Sequence, residues 1–343
     1  MSASPTQLLE QLLDRRDLDE AAAAALLRAL AAGDVAPALA GALLAALRSK
    51  GESASEIRGF ALAMRELARR PDIPPGPYVD VVGTGGDGSG SLNLSTGSAL
   101  LAAACGVPVV KHGNRSISSR SGSADVLTAL GLPVPLDEAN AAHCLARVGF
   151  TFLFAPHYHP AMKNIAPVRA ALGVRTVFNI LGPLVNPAAP PYHVIGAYSE
   201  PMAAIMAETL AGMPLERAFV IHGTAGWDEA TPAGAFSCYD VRPGNVQRNT
   251  RDPRDYGIAV CDLHELAGGD AALNAARLMA ALGGADTRGH RDALVLGAAL
   301  ALEVSGAVTD AAAGVARARA AIEDGSGARL LARLAAFGRE LRQ

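Results

Sequence analysis

The sequence predicts an α/β fold: a mainly parallel sheet flanked by helices, beside a smaller all-helical domain. Three observations carry that prediction. Up to about Arg70 the apolar residues recur only at helical spacing. A proline-rich connector, Pro71 to Pro77, follows. Beyond it, short apolar segments alternate with helical ones, the pattern of a sheet whose parallel strands are joined by helices. The expected division is residues 1–72 for the helical domain and 73–343 for the α/β domain.

Each element has its own signal. Leu8, Leu9, Leu12 and Leu13 form a first helical stripe. Asp17 is placed to cap a second helix, Glu20 to Ala32, which Gly33 stops. A third helix runs from Val35 to Ser49. Ser53 or Ser55 caps a fourth, Glu56 to Ala68. After the connector, strands are expected at Tyr78 to Val82, Val107 to Val110, Thr151 to Phe154, Val194 to Tyr198, Ala218 to His222 and Phe236 to Val241. Helices are expected at Leu94 to Ala104 and Ala124 to Leu130, and through most of the chain after Asp270.

Composition excludes several classes. The 343 residues are 50% hydrophobic and carry 30 basic against 33 acidic side chains, a net charge of −3. No basic block is present to hold nucleic acid or an anionic membrane. Aromatics at 4% are too sparse for a base-stacking platform. No apolar run reaches the ~18 residues that a membrane span needs. Cys105, Cys144, Cys238 and Cys261 are widely spaced among small or apolar neighbours, so buried reduced thiols are expected. With no signal-peptide pattern at Met1 to Gln7, a cytoplasmic location is expected.

Gly83-Thr84-Gly85-Gly86-Asp87-Gly88 follows the first strand and matches the dinucleotide fingerprint in form only. That fingerprint requires a helix at once and an acid about 20 residues on. Here Lys111 stands at that distance, and the helix opens later, near Ser95. No Gly-Lys-Ser/Thr closes the loop as in a phosphate-binding P-loop. The physical content remains: open glycine amides and the helix start at Asn93-Leu94-Ser95-Thr96 favour an anion. Ser95 is suited either to cap that helix or to offer its oxygen to a hard cation. A plain glycine turn and a capped helix account for this stretch equally well.

A second cluster, Lys111-His112-Gly113-Asn114-Arg115-Ser116-Ile117-Ser118-Ser119, follows the second strand, and Gly122-Ser123-Ala124-Asp125 opens another helix. Two anion-binding helix starts on adjacent loops suit a ligand with phosphates at both ends. Farther on, Asp228-Glu229 after a glycine turn is an oxygen pair that can hold magnesium. His157, Tyr158 and His159 precede a helix bearing Arg169, ground on which a flat aromatic acid could lie with its carboxylate paired to the guanidinium.

Taken together, these segments resemble the anthranilate phosphoribosyltransferase family over nearly the whole chain. The resemblance rests on Gly83 to Asp87, Asn93 to Thr96, Lys111 to Arg115, Gly122 to Asp125, His159 to Lys163, and Arg175 to Pro187 (RTVFNILGPLVNP). Lys50-Gly51-Glu52 and Asn274-Ala275 are weaker echoes. The resemblance implies that Gly83, Gly86, Asp87, Ser91, Asn93, Leu94, Ser95, Thr96, Lys111, His112, Gly113, Asn114, Arg115, Ser116, Ile117, Ser118, Ser119 and Ser123 bind phosphoribosyl pyrophosphate. It places Gly83, Asn114 and Arg169 at anthranilate, with His112, His159, Tyr158 and Gly182 lining its path. Ser95 with Glu229 would hold one Mg2+, and Asp228 with Glu229 a second. It further implies that helices near residues 165–190 return to the small domain, and that the chain forms a homodimer through that domain.

Four residues depart from the family pattern: Ser91, Leu92, Trp227 and Gly297. None removes a charged ligand. The expected chemistry is displacement of pyrophosphate from the ribose carbon by the anthranilate amine, through leaving-group stabilisation and alignment, with no certain catalytic base. Two other readings are a pyrimidine-nucleoside-phosphorylase-like enzyme and a nucleic-acid-binding relative without the activity. The first should continue its lysine-histidine motif as Ser-x-Gly-Gly, and the second should show a basic groove.

Overall fold

The computed structural model describes residues 3–115 and 120–343. The chain opens with four helices: α1 (Pro5–Leu13), α2 (Glu20–Ala32), α3 (Pro37–Lys50) and α4 (Ala54–Glu66). The cap of α2 is Asp19, whose side chain accepts from the Ala22 N–H, and not Asp17. The Asp17 carboxylate is instead 2.6 Å from Lys50 Nζ. Ser53 caps α4 in a capping box with Glu56. Glu56 is buried and also accepts from the Leu18 N–H (2.9 Å) and from Lys50 Nζ (2.9 Å). Lys50 of the Lys50-Gly51-Glu52 echo therefore belongs to a buried ion pair that ties the end of α3 and the start of α4 to the segment between α1 and α2.

The sheet elements follow as β1 (Val79–Gly83), α5 (Leu94–Ala104), β2 (Val109–Gly113), α6 (Ser123–Ala129), α7 (Glu138–Val148) and β3 (Phe150–Phe154). Then come α8 (Ala155–Tyr158), α9 (Met162–Leu172), α10 (Phe178–Leu181), β4 (Tyr192–Gly196), α11 (Glu200–Ala211), β5 (Arg217–Gly223), β6 (Phe236–Arg242) and β7 (Asn245–Arg251). Four helices close the chain: α12 (Ala271–Leu282), α13 (Arg288–Val304), α14 (Ala311–Glu323) and α15 (Ser326–Glu340). The strand order is β3-β2-β1-β4-β5-β6-β7. The first five strands are parallel, and β6 and β7 add an antiparallel edge.

Side chains alternate across the strands, so the sheet buries two cores. Val79, Val81, Val109, Val194, Phe219 and Ile221 face α5, α7 and the C-terminal helices. Ile195, Ala218, Val220 and Val241 face α11 and the N-terminal helices. The chain after β3 crosses back to those helices. Asn164 Nδ2 donates to the Ala31 carbonyl (2.7 Å), Phe178 meets Phe60 edge-on, and Arg65 Nε donates to the Leu184 carbonyl (2.8 Å).

Two strands differ from expectation for physical reasons. β2 extends to Gly113, pairing Lys111 with Phe152 and His112 with Leu153. Both residues therefore lie within the strand and not in the loop after it. β7 carries a polar, mostly exposed sequence, and it forms because β6 offers a free edge. All four cysteines are free and buried. No helix among the described residues is long and apolar enough to cross a membrane.

Candidate functional site

The strand order reverses between β1 and β4, and open α/β sheets bind ligands beyond the carboxyl ends of strands at such a switch point. Here those ends are Gly83 and Gly196, paired with each other. The glycine loop springs from this point. The Thr84 N–H donates to the Gly196 carbonyl (2.9 Å), and the Tyr198 N–H donates to Thr84 Oγ1 (3.2 Å). Gly85 and Gly86 then take left-handed φ angles of 66° and 79°, which fits residues without a Cβ. The Gly85 N–H donates to Asp228 Oδ2 (2.6 Å), and the Asp228 N–H donates to Asp87 Oδ2 (3.3 Å). Asp87 Oδ1 also accepts from Ser89, whose hydroxyl donates to Ser91 (3.2 Å). The acid pair thus reaches the glycine loop across more than 140 residues of sequence.

Helix α5 starts beside the loop. Its first turn is capped from outside, because the Ser95 N–H donates to Glu229 Oε1 (3.1 Å). Asn93 occupies the cap position without capping through its side chain. Its amide donates instead to the Ser121 carbonyl (3.1 Å) and accepts from Asn274 Nδ2 (2.8 Å). Ser95 therefore does not cap the helix, and its hydroxyl lies 3.4 Å from Lys111 Nζ. Thr96 is buried and donates to the Ser123 hydroxyl (3.1 Å). The Leu94 side chain is in the core and its N–H is bound to the Leu92 carbonyl, so its side chain offers the site nothing.

Lys111 is buried, and its ammonium donates to the Val81 carbonyl. Burial lowers its pKa, opposed by the charges of Asp80, Glu229 and Asp228. Asp80, also buried, accepts from the His112 N–H (3.3 Å) and from Asn186 Nδ2 (2.8 Å). Burial pushes its pKa up to about 6, with Lys111 pulling the other way. Burial, reinforced by the Asp87 charge, raises Asp228 to about 7. Burial and the Asp228 charge raise Glu229 well above the usual range. Among the described residues no three His, Cys, Asp or Glu side chains are arranged to hold a metal ion.

The second helix start differs from expectation. The Gly122 N–H at α6 donates to Asp125 Oδ2 (3.0 Å), and Arg115 Nη1 donates to Asp125 Oδ1 (3.1 Å). A carboxylate of the chain already stands where an open anion site was expected. Asn114 and Arg115 are exposed. Ser116, Ile117, Ser118 and Ser119 lie outside the described residues.

On the other side of Lys111, His112 Nδ1 is 3.0 Å from the Gly182 carbonyl. Its ring stands edge-on to His159 with centroids 5.1 Å apart. Burial lowers the His112 pKa to about 3 and that of His159 to about 4, so both rings are neutral near pH 7. Arg169 is half-buried, its guanidinium 5.3 Å from the centre of the Phe178 ring. Tyr158 does not line this path. It is fully buried, and its hydroxyl donates to the Leu136 and Asp137 carbonyls (3.2 Å each), because the short helix α8 turns it under the sheet.

Asp80, Asn186, Arg65 and Asn274 form the underlayer of the site. The sequence reading missed Asp80 and Arg65, and it named Asn186 and Asn274 only within motifs, without a role. A signal existed for Asp80, since a charge inside an apolar strand needs a partner. The departures also have reasons. Leu92 and Trp227 are buried in the core. A Cβ on Gly297 would press against Ser98 closer than real Cβ atoms approach, so the α13–α5 contact admits only glycine there.

A family model for the glycosyl transferase family a/b domain matches residues 75–328, and one for the helical bundle domain of the same family matches residues 6–68. An anthranilate phosphoribosyltransferase of Methylobacterium nodulans is 48% identical over 90% of both chains. That of Anaeromyxobacter dehalogenans is 46% identical over 96% of this chain and 97% of its own. The crystal structure of the Thermus thermophilus enzyme superposes with a TM-score of 0.90 at 42% identity, covering 97% of this chain and 99% of that one. The Saccharomyces cerevisiae enzyme in complex with phosphoribosyl pyrophosphate and Mg superposes with a TM-score of 0.88 at 25% identity, covering 99% of each.

Proposed function

The chain belongs to the anthranilate phosphoribosyltransferase family, and on that premise we propose how its cleft works. It transfers the phosphoribosyl group of phosphoribosyl pyrophosphate to the amine of anthranilate. The products are N-(5-phosphoribosyl)anthranilate and pyrophosphate, in tryptophan biosynthesis. It binds Mg2+, as the yeast relative does.

The observation that carries the reading is convergence at one point. Gly85, Ser95, Lys111, Asp228 and Glu229 meet where β1 and β4 end, and the His112–His159 pair adjoins them. Glycine amides, the α5 start and the Lys111 ammonium form the donor side. Gly83, Gly86, Asp87, Ser91, Asn93, Thr96, Gly113, Arg115 and Ser123 complete it, with Asn114 and Gly83 at the junction of the two substrates. Neutral His112 and His159, the Gly182 backbone and Arg169 form the acceptor side. Flat neutral rings suit an aromatic ring, and a guanidinium suits its carboxylate.

Ser95, Asp228 and Glu229 fit a hard cation: their donors are all oxygen, and their crowded carboxylates lack a sufficient counter-charge. Ser95 with Glu229 would hold one magnesium and Asp228 with Glu229 a second. Two carboxylates and a hydroxyl would leave positions on such ions for water and substrate phosphates. Bound there, magnesium neutralises charge on the departing pyrophosphate.

The chain's residues then align the amine with the sugar carbon, on which positive charge grows as the bond to pyrophosphate loosens. An aromatic amine already carries its lone pair, so no strong base is required for attack, and the proton shed once the carbon–nitrogen bond forms passes to the departing pyrophosphate or to water. The underlayer holds this geometry: Asp80 fixes the His112 backbone, and Asn274 fixes Asn93.

A homodimer through the helical domain is part of the reading. The apolar groove between α3 and α9, lined by Pro37, Gly41, Ala45, Val168 and Leu172, supports it. A division after residue 72, with residues 165–190 rejoining the small unit, is also part of the reading. Membership of a biosynthetic family supports a cytoplasmic location. The test is fluorescence. Anthranilate emission should decay only when phosphoribosyl pyrophosphate and Mg2+ are both present, and steady emission with both present refutes the reading.

A further inference from the structure

Arg175 opens the segment that runs to Pro187, and the reading above gives it no task. It follows Gly173, whose left-handed φ of 63° ends α9, so the chain turns from the helical unit back toward the cleft. Its guanidinium carbon lies 5.1 Å from the centre of the Tyr198 ring. Its Nη2 donates to the Gly86 carbonyl at 3.4 Å, at the long end of the hydrogen-bond range. A Cβ on Gly86 would stand 3.6 to 3.7 Å from three atoms of the guanidinium, so the group lies directly on the glycine loop. The platform beneath it is tied to the same loop, because the Tyr198 N–H donates to Thr84 Oγ1.

Arg175 is exposed and makes no ion pair among the described residues. A guanidinium carries five donors in a planar fork that matches phosphate geometry. Among the described residues only Nη2 is engaged, at the Gly86 carbonyl, and the Tyr198 ring lies alongside the guanidinium, next to the glycine loop. We propose that Arg175 is a ligand of the terminal phosphate of the donor's pyrophosphate group, the donor-side counterpart of Arg169.

The two arginines stand six residues apart on one segment. Arg169 packs over Phe178, which meets Phe60 of α4. One stretch of chain, anchored in the helical unit, therefore carries one guanidinium for each substrate. This assignment rests on the transferase reading for the identity of the donor, but not for the anion chemistry.

The test uses inorganic pyrophosphate with Mg2+ as the probe, measured by calorimetry on the full chain, with steady-state kinetics alongside. Arg175→Ala should weaken pyrophosphate binding and raise the donor KM by about 10- to 100-fold, the loss expected for a charge-assisted bond to phosphate. The anthranilate KM should stay within about twofold. Arg175→Lys should recover part of the loss, as a point charge without the fork. Pyrophosphate affinity and donor KM both within about twofold of wild type in Arg175→Ala overturn the proposal. So does an equal loss toward both substrates, which marks a merely structural role. A wild type that binds pyrophosphate, loses it on Arg175→Ala and turns over no anthranilate supports this assignment while sinking the transferase reading.

Discussion

Gly83→Ala probes the link between the glycine loop and the acid pair. A Cβ at Gly83 would lie 3.0 Å from Asp228 Cγ and closer still to Oδ2, where ordinary contact begins at 3.4 Å. The carboxylate is the end of a side chain, so it can retreat, by about 1 Å at Oδ2. Retreat stretches the 2.6 Å bond from the Gly85 N–H, a charge-assisted bond worth about 1.5–3 kcal/mol. It also displaces a magnesium ligand, and misplaced support around a metal costs about 10- to 100-fold in affinity or activity. The Mg2+ concentration for half-maximal turnover should therefore rise by that factor. The melting temperature should fall by only a few degrees. The assay is turnover against Mg2+ concentration, with thermal melting as the control.

Gly196→Ala supplies the contrast. There a Cβ would lie 2.5 Å from the Asp228 carbonyl carbon and 3.3 Å from its Cα. Backbone cannot retreat as a side chain can, so this variant should fold poorly. A Gly83→Ala enzyme with wild-type turnover and an unchanged Mg2+ requirement would falsify the link.

Three further outcomes follow from the site. Glu229→Gln should lower turnover by more than about 100-fold, and added Mg2+ should restore little of it; normal activity with normal Mg2+ dependence removes Glu229 from the metal site. Arg169→Ala should raise the anthranilate KM by about 10- to 100-fold and leave the donor KM nearly unchanged, so an unmoved anthranilate KM counts against its role. His159 has a folded pKa of about 4, below its ordinary 6.5, because of burial. Its stabilising contribution is complete above pH 6.5 and is lost as the pH falls toward 4. At pH 5 the wild type should have lost about 2 kcal/mol from this group. Denaturation of His159→Phe should show a stability curve flatter by that amount between pH 7 and pH 5, and parallel curves contradict the assignment.

Much of this fold is legible in the sequence because its elements carry strong local signals. Helix α5 and the strands β1, β3 and β5 are expected within two residues of where they occur. The glycine loop and the Asp228-Glu229 pair can each be found by residue type and position after a strand, and Lys111 by its charge, although it lies within β2. Their convergence cannot, because it depends on the reversal of strand order between β1 and β4.

The misses have the same root. Asp17 looks like the cap of α2 until its pairing with Lys50 leaves that position to Asp19. Tyr158 looks like a substrate-facing aromatic until α8 turns it into the core. Asp125 looks like part of an open phosphate site until its carboxylate fills the helix start. Gly297 looks like a defect until Ser98 appears beneath it. Residue type predicts what a side chain can do, while partners from distant segments decide whether it is free to do it.

The central claim is that one cleft delivers the anthranilate amine to the sugar carbon as pyrophosphate leaves it. Phosphorus nuclear magnetic resonance of the running reaction tests it most directly. One pyrophosphate should appear for each anthranilate consumed, and the donor should stay intact when anthranilate is withheld. Pyrophosphate release without anthranilate, or consumption of anthranilate without pyrophosphate, contradicts the account.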